Sequence, residues 1–144
     1  MPLSAERQTD FNASILRRGH HVWTRAHLSD DGSLQVSVRV WSENTLLGYH
    51  ATSVVVFLDE TTRIHGRSEI WVIGVDARGN PFGIADRTEQ HREDMSLELC
   101  RQTTRLEIVH LNTASFLIEQ AIDTLVNEGG TFLDLSTRIS LAYE

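Results

Sequence analysis

Apolar and polar residues alternate strictly over LQVSVRVW at 34–41. Leu34, Val36, Val38 and Val40 fall on one face, and Gln35, Ser37, Arg39 and Trp41 on the other. A period of two marks a strand with one buried face. TSVVVFL at 52–58 and EIWVIGV at 69–75 are instead short β-branched and aromatic runs. Their length predicts strands buried on both faces. MSLEL at 95–99 alternates again, as does RLEIVHL at 105–111 more weakly, and both are read as strands. FLDLSTRISLAY at 132–143 is also read as a strand, with Leu133, Leu135, Ile139, Leu141 and Tyr143 on one face. ADRTEQHRED at 85–94 has one apolar residue in ten and reads as an exposed loop.

One stretch has the helical period. Ala114, Leu117, Ile118, Ala121, Ile122 and Leu125 follow i, i+3, i+4, i+7, i+8, i+11, an amphipathic helix over about 113–128. Asn112 or Thr113 supplies a start cap and Gly129-Gly130 a left-handed stop. Glu119, Gln120, Asp123, Asn127 and Glu128 make the opposite face polar, so the helix lies outside a sheet with its stripe turned inward.

Two short segments read as three-residue hairpin loops closed by glycine: Asp30-Asp31-Gly32 and Ala77-Arg78-Gly79. The first sets a register. With Ser29 opposite Ser33, Leu28 meets Leu34, Ala26 meets Val36, Thr24 meets Val38 and Val22 meets Val40. All even positions of GHHVWTRAH (19–27) then join the valine face. A four-residue loop would drive His21, Trp23, Arg25 and His27 onto that face, and buried charge without partners is costly. The other face therefore carries His21, Trp23, Arg25 and His27 against Trp41, Arg39, Ser37 and Gln35. Arg39 lies opposite Trp23, and His21 opposite Trp41.

Together these elements predict an α+β chain, predominantly antiparallel β. A meander from residue 11 to about 85 forms a barrel or sandwich, and one amphipathic helix lies near the C-terminus. The length of 144 residues suits a single domain over 1–144, with 1–10 a loose N-terminal segment.

Charge narrows the partners. The net charge of -7 is unfavourable for nucleic acid and for anionic membranes. The longest apolar run, VVVFL, is far too short for a membrane span. No apolar signal core begins the chain, and Cys100 is the only cysteine, so a cytoplasmic location is expected. All 13 basic residues are arginine, which removes lysine Schiff-base chemistry and the P-loop lysine.

The cluster GHHVWTRAH raises the question of a metal. On a strand His20 and His21 point to opposite faces, and His21 and His27 stand roughly 20 Å apart. Zinc needs every ligand atom within about 2.1 Å of one ion. No metal and no cofactor is therefore expected. Glu89, His91, Glu93 and Asp94 read as a solvated charged cluster, Cys100 as a small buried hydrophobe, and Asp59, Glu60 and Asp76 as turn carboxylates.

What remains is the polar, aromatic face: His21, Trp23, Arg25, His27, Arg39 and Trp41. Trp and Arg are enriched where proteins bind partners, and polar groups beside aromatic rings suit a small-molecule site. The leading expectation is a binding module contacting a small molecule or a protein through this face. An enzyme gathering His and carboxylates from separate strands is the alternative, and a structural oligomer subunit the third. An open sheet edge that needs cover predicts a homodimer.

Overall fold

The structure, a computed structural model, describes residues 8–17, 19–43, 48–111 and 116–143. In chain order the elements are β1 (Gln8–Arg17), β2 (His20–Leu28), β3 (Ser33–Ser42), β4 (Tyr49–Leu58), β5 (Ile64–Arg67), β6 (Trp71–Val75), β7 (Asp86–Asp94), α1 (Leu97–Gln102), β8 (Arg105–Leu111), α2 (Phe116–Glu128) and α3 (Phe132–Tyr143). Every strand pairing is antiparallel. Sheet A has the order β1-β2-β3-β7. In sheet B, β4 is central: β8 lies on one edge, and β5 and β6 share the other. The sheets do not close into a barrel; their arrangement is sandwich-like.

The β2–β3 hairpin has the register derived above, residue for residue, from Leu28 opposite Leu34 to Val22 opposite Val40. Ser29 N–H donates to Ser33 O at 2.9 Å, Gly32 N–H to Ser29 O at 3.1 Å, and Gly32 takes φ 91°. That φ lies in the left-handed region and needs glycine. A Cβ there would also stand 2.6 Å from the Met95 carbonyl oxygen.

Two apolar layers result. Val22, Ala26, Leu28, Leu34, Val36, Val38 and Val40 of sheet A pack against Tyr49, Val55, Phe57, Ile73 and Ile108 of sheet B. On the far side of sheet B, Val54, Val56 and Leu58 meet Ile118, Ile122 and Leu125 of α2 and Leu135 of α3. Sheet B is thus the middle of three layers, which is why VVVFL is buried on both faces. Burying one such side chain contributes about 1.5–3 kcal/mol. WVIGV of β6 is buried on one face only, and Val72 is 44% exposed. It lies at the sheet's rim, where its outer face meets solvent.

Several expectations are corrected. FLDLSTRISLAY is α3, not a strand. Phe132, Leu135 and Ile139 pack inward at i, i+3 and i+7, while Leu133, counted on the strand face, is 74% exposed. The carboxylate of Asp134 accepts from Thr131 N–H at 2.9 Å and Asp134 N–H donates to Thr131 Oγ1 at 3.3 Å. This reciprocal pair is a capping box that starts the helix. MSLEL enters α1, with Ser96 Oγ capping Leu99 N–H at 3.1 Å. ADRTEQHRED is not a loop but the edge strand β7, bonded along its length to β3. Ala77-Arg78-Gly79 is not a hairpin loop, because residues 76–85 carry the chain from β6 in sheet B to β7 in sheet A. The meander is correspondingly broken: β1-β2-β3 stay in sheet A, and β4 to β6 build sheet B. The loose segment 1–10 overlaps β1, which starts at Gln8.

The helix expected at about 113–128 is α2, ending at Gly129 with φ 71°. Gly130 N–H donates to Leu125 O at 2.8 Å, a Schellman stop. The caps Asn112 and Thr113 lie outside the described residues. With α1 and α3, the described residues hold three helices, not one.

Candidate functional site

The six residues singled out in the sequence all lie on the outer face of sheet A. His21, Trp23 and His27 are half-buried, Arg25 is exposed, and their strand neighbours Val22, Thr24 and Ala26 are buried beneath them. Arg39 and Trp41 stand on the same face of β3. The sheet does not bring the six into one site, however. It divides five of them between two halves, with Trp23, opposite Arg39, between the two.

One half is closed on itself. The rings of His21 and Trp41 stack at 4.9 Å with an interplanar angle of 5°. The guanidinium of Arg39 lies 4.3 Å from the Trp41 ring centroid. Arg39 also donates to both oxygens of Asp86, Nε at 3.0 Å and a terminal nitrogen at 2.7 Å. That bidentate pair raises the Arg39 pKa and lowers that of Asp86. His21 Nε2 stands 3.3 Å from a Glu43 oxygen. Support comes from the second sheet: the Tyr49 hydroxyl donates to the backbone oxygens of His21 and, at 3.3 Å, Trp41. Burial pushes the Tyr49 pKa up, and its ring stacks on buried His20 at 4.0 Å. His20 and His21 thus serve opposite faces, as alternation requires.

The other half is open. Arg25, His27, Gln35, Val36, Ser37, Gln90, His91 and Arg92 line a groove of about 490 Å³. The register lays its polar groups in two rows across β2, β3 and β7: Arg25, Ser37 and Gln90, then His27, Gln35 and Arg92. Gln90 and Arg92 escaped the sequence reading because 85–94 looked like a loop. A signal was available: of the turn-forming residues Gly, Pro, Asn, Asp and Ser, that segment holds only Asp, at Asp86 and Asp94 near its two ends.

The remaining candidates are structural. Glu89, His91 and Glu93 alternate on the inner side of β7, at the sandwich rim. His91 stacks on Trp71 at 4.8 Å, and Glu93, its pKa raised by burial, accepts the Glu69 N–H with both oxygens at 3.0 Å. Asp59 organises the β4–β5 turn, accepting from His65 Nε2 at 2.8 Å and from Thr61 and Arg63 backbone N–H. These bonds, that from His65 first, hold its pKa low. Asp76 accepts the Ile84 N–H at 2.8 Å. Cys100 is buried in the core between the sheets. Thr24 Oγ1 bonds to both Ser53 Oγ at 2.8 Å and His110 Nε2 at 2.7 Å. Both hydroxyls are buried to within 1%, so this cluster ties the sheets together and is closed to a substrate. Among the described residues no three His, Cys, Asp or Glu side chains assemble as a metal site. No described helix is long and apolar enough to cross a membrane.

Comparison with protein-family models, with curated proteins and with solved structures finds no match to this chain.

Proposed function

We propose that the chain is a binding module whose ligand, a small molecule, lies in the groove on the outer face of sheet A. The observation that carries this reading is the groove itself. It is lined by residues of three adjacent strands, most of them pointing outward, whose inner faces are anchored in, or at the rim of, the sandwich core. Its volume falls in the range of small-ligand sites, about 300–1,000 Å³. Most of its walls stand on paired strands rather than on loops, so the groups are positioned before the ligand arrives. The stacked Trp41 and the half-buried Trp23 extend an aromatic surface away from the polar rows.

The test is a thermal-shift screen of a metabolite library against wild type and Arg25→Gln. A groove ligand at a hundredfold excess over its Kd adds about 2.7 kcal/mol, or about 5–10 °C for a chain of this size. Hits are expected to lose most of that shift in Arg25→Gln. Hits that stabilise both proteins equally would place the ligand elsewhere and overturn the proposal.

A further inference from the structure

The chain carries 20 acidic and 13 basic residues, yet among the described residues no carboxylate lines the groove. Its fully charged liners are Arg25 and Arg92, and Gln35, Ser37, Gln90 and His27 complete its polar wall. The state of each arginine matters more than the count. Arg39, in the closed half, is neutralised by a bidentate carboxylate. Arg25 forms no ion pair with any described residue. Arg92 has one, to Asp94 at 3.8 Å, with both side chains largely exposed, a contact worth little. Two cations with donors to spare therefore face a groove with no carboxylate among its described residues.

Their placement fits a single ligand group. Arg25 and Arg92 stand on opposite sides of β3, in adjacent rows. With strands about 4.8 Å apart and residues rising about 3.3 Å, their backbones are roughly 10 Å apart across the sheet and 7 Å along it. The ground between them is Ser37 and Gln35, which offer hydroxyl and amide donors and no charge. Guanidinium forks on two sides and neutral donors below match the planar or tetrahedral oxygens of an acid group.

We propose that this groove is an oxyanion site, taking a small ligand through its carboxylate or phosphate group, with Arg25 and Arg92 as the charge partners and Gln35, Ser37 and Gln90 as the neutral donors. This deepens the binding-module reading and rests on it.

Sodium phosphate and sodium succinate, titrated into the folded protein against sodium chloride of equal ionic strength, test it. The readout is the ¹H–¹⁵N spectrum, including the arginine Nε–H signals. Saturable shifts are expected at Gln35, Ser37 and Gln90 and at Nε of Arg25 and Arg92. The tighter of the two anions identifies the kind of acid group. The double variant Arg25→Gln/Arg92→Gln should weaken that anion at least ~10-fold. Arg138→Gln, on α3 and remote from the groove, should leave it unchanged. Both arginines are exposed, and glutamine keeps the aliphatic stem of arginine and a polar end, so the double variant's folded spectrum is expected to persist. Shifts that only follow ionic strength, or that survive in the double variant, overturn the oxyanion assignment. If a neutral library compound then moves the same amides, only that assignment falls. If nothing moves them, the binding-face reading falls with it.

Discussion

Thr62 sits at φ 67°, in the left-handed region that a β-branched residue enters only at a cost of roughly 1–2 kcal/mol. The reason is visible in its loop. Asp59 N–H donates to Arg63 O, and Thr62 N–H to Asp59 O. This is the same pattern as Ser29, Gly32 and Ser33 in the β2–β3 turn, with threonine where the other loop has glycine. The Thr62 carbonyl then accepts the Phe132 N–H at 2.9 Å and seats α3. Thr62→Gly should stabilise the protein by about 1 kcal/mol in urea unfolding, less the glycine's extra chain entropy. Gly32→Ala should do the reverse and cost more than that, since it adds both strain and the clash with Met95. Equal and small effects at the two sites would contradict this reading.

His110 supplies a second residue-scale expectation. Burial lowers its pKa from the usual 6.5 to about 4, so the folded protein holds it neutral beside Thr24. Between these pH values the unfolded chain binds a proton that the folded chain refuses. The stabilisation is therefore complete above pH 6.5 and declines as the pH falls toward 4, by up to ~3 kcal/mol. Urea unfolding at pH 7 and pH 5 should show the decline, and His110→Gln should flatten it. An unchanged pH slope in that variant would show that other groups are responsible.

At the scale of elements, what was legible depended on whether a second face of water or core marked the pattern. β3 was read in full because Leu34, Val36, Val38 and Val40 meet the core while Gln35 and Arg39 meet solvent. α2 was read from its stripe and its glycine stop. β7 was missed because an edge strand needs only its backbone ladder: Asp86 to Asp94 are polar on both faces, and charge on an edge discourages pairing with another chain. α3 was misread because Leu133, Leu135, Ile139 and Leu141 fit a period of two. The Thr131–Asp134 box and the Phe132, Leu135, Ile139 spacing were the better guides. These layers carry an energetic contrast. Ile122→Ala, in the α2–sheet B core, should cost about 2–5 kcal/mol. Phe82, 97% exposed on the 76–85 crossing, should tolerate serine within about 0.5 kcal/mol. Chemical denaturation of the two variants checks both, and a large loss at Phe82 would mean that the crossing packs against something.

For the molecule as a whole, the three layers formed by the described residues leave one sheet face without a covering element. The inner face of sheet A packs on sheet B and the far face of sheet B is covered by α2 and α3, while the outer face of sheet A carries the aromatic row and the groove. The candidate site was legible as a face but not as a groove, because the residues that close it come from β7, far beyond β3 in the chain and without an apolar pattern of its own. The same layering separates two tryptophans. Trp71→Ala, 7% exposed at the core, should cost about 3–5 kcal/mol, and half-buried Trp23→Ala distinctly less; equal losses would make the outer face a second core. The most direct test of the binding face is a ¹H–¹⁵N shift map of the wild-type protein with the strongest ligand from the thermal-shift screen. Shifts confined to Trp23, Arg25, His27, Gln35, Ser37, Gln90 and Arg92 are expected. Shifts centred instead on the groove between Gly66–Ser68 and Asp123–Asn127, with the outer face of sheet A silent, would contradict it.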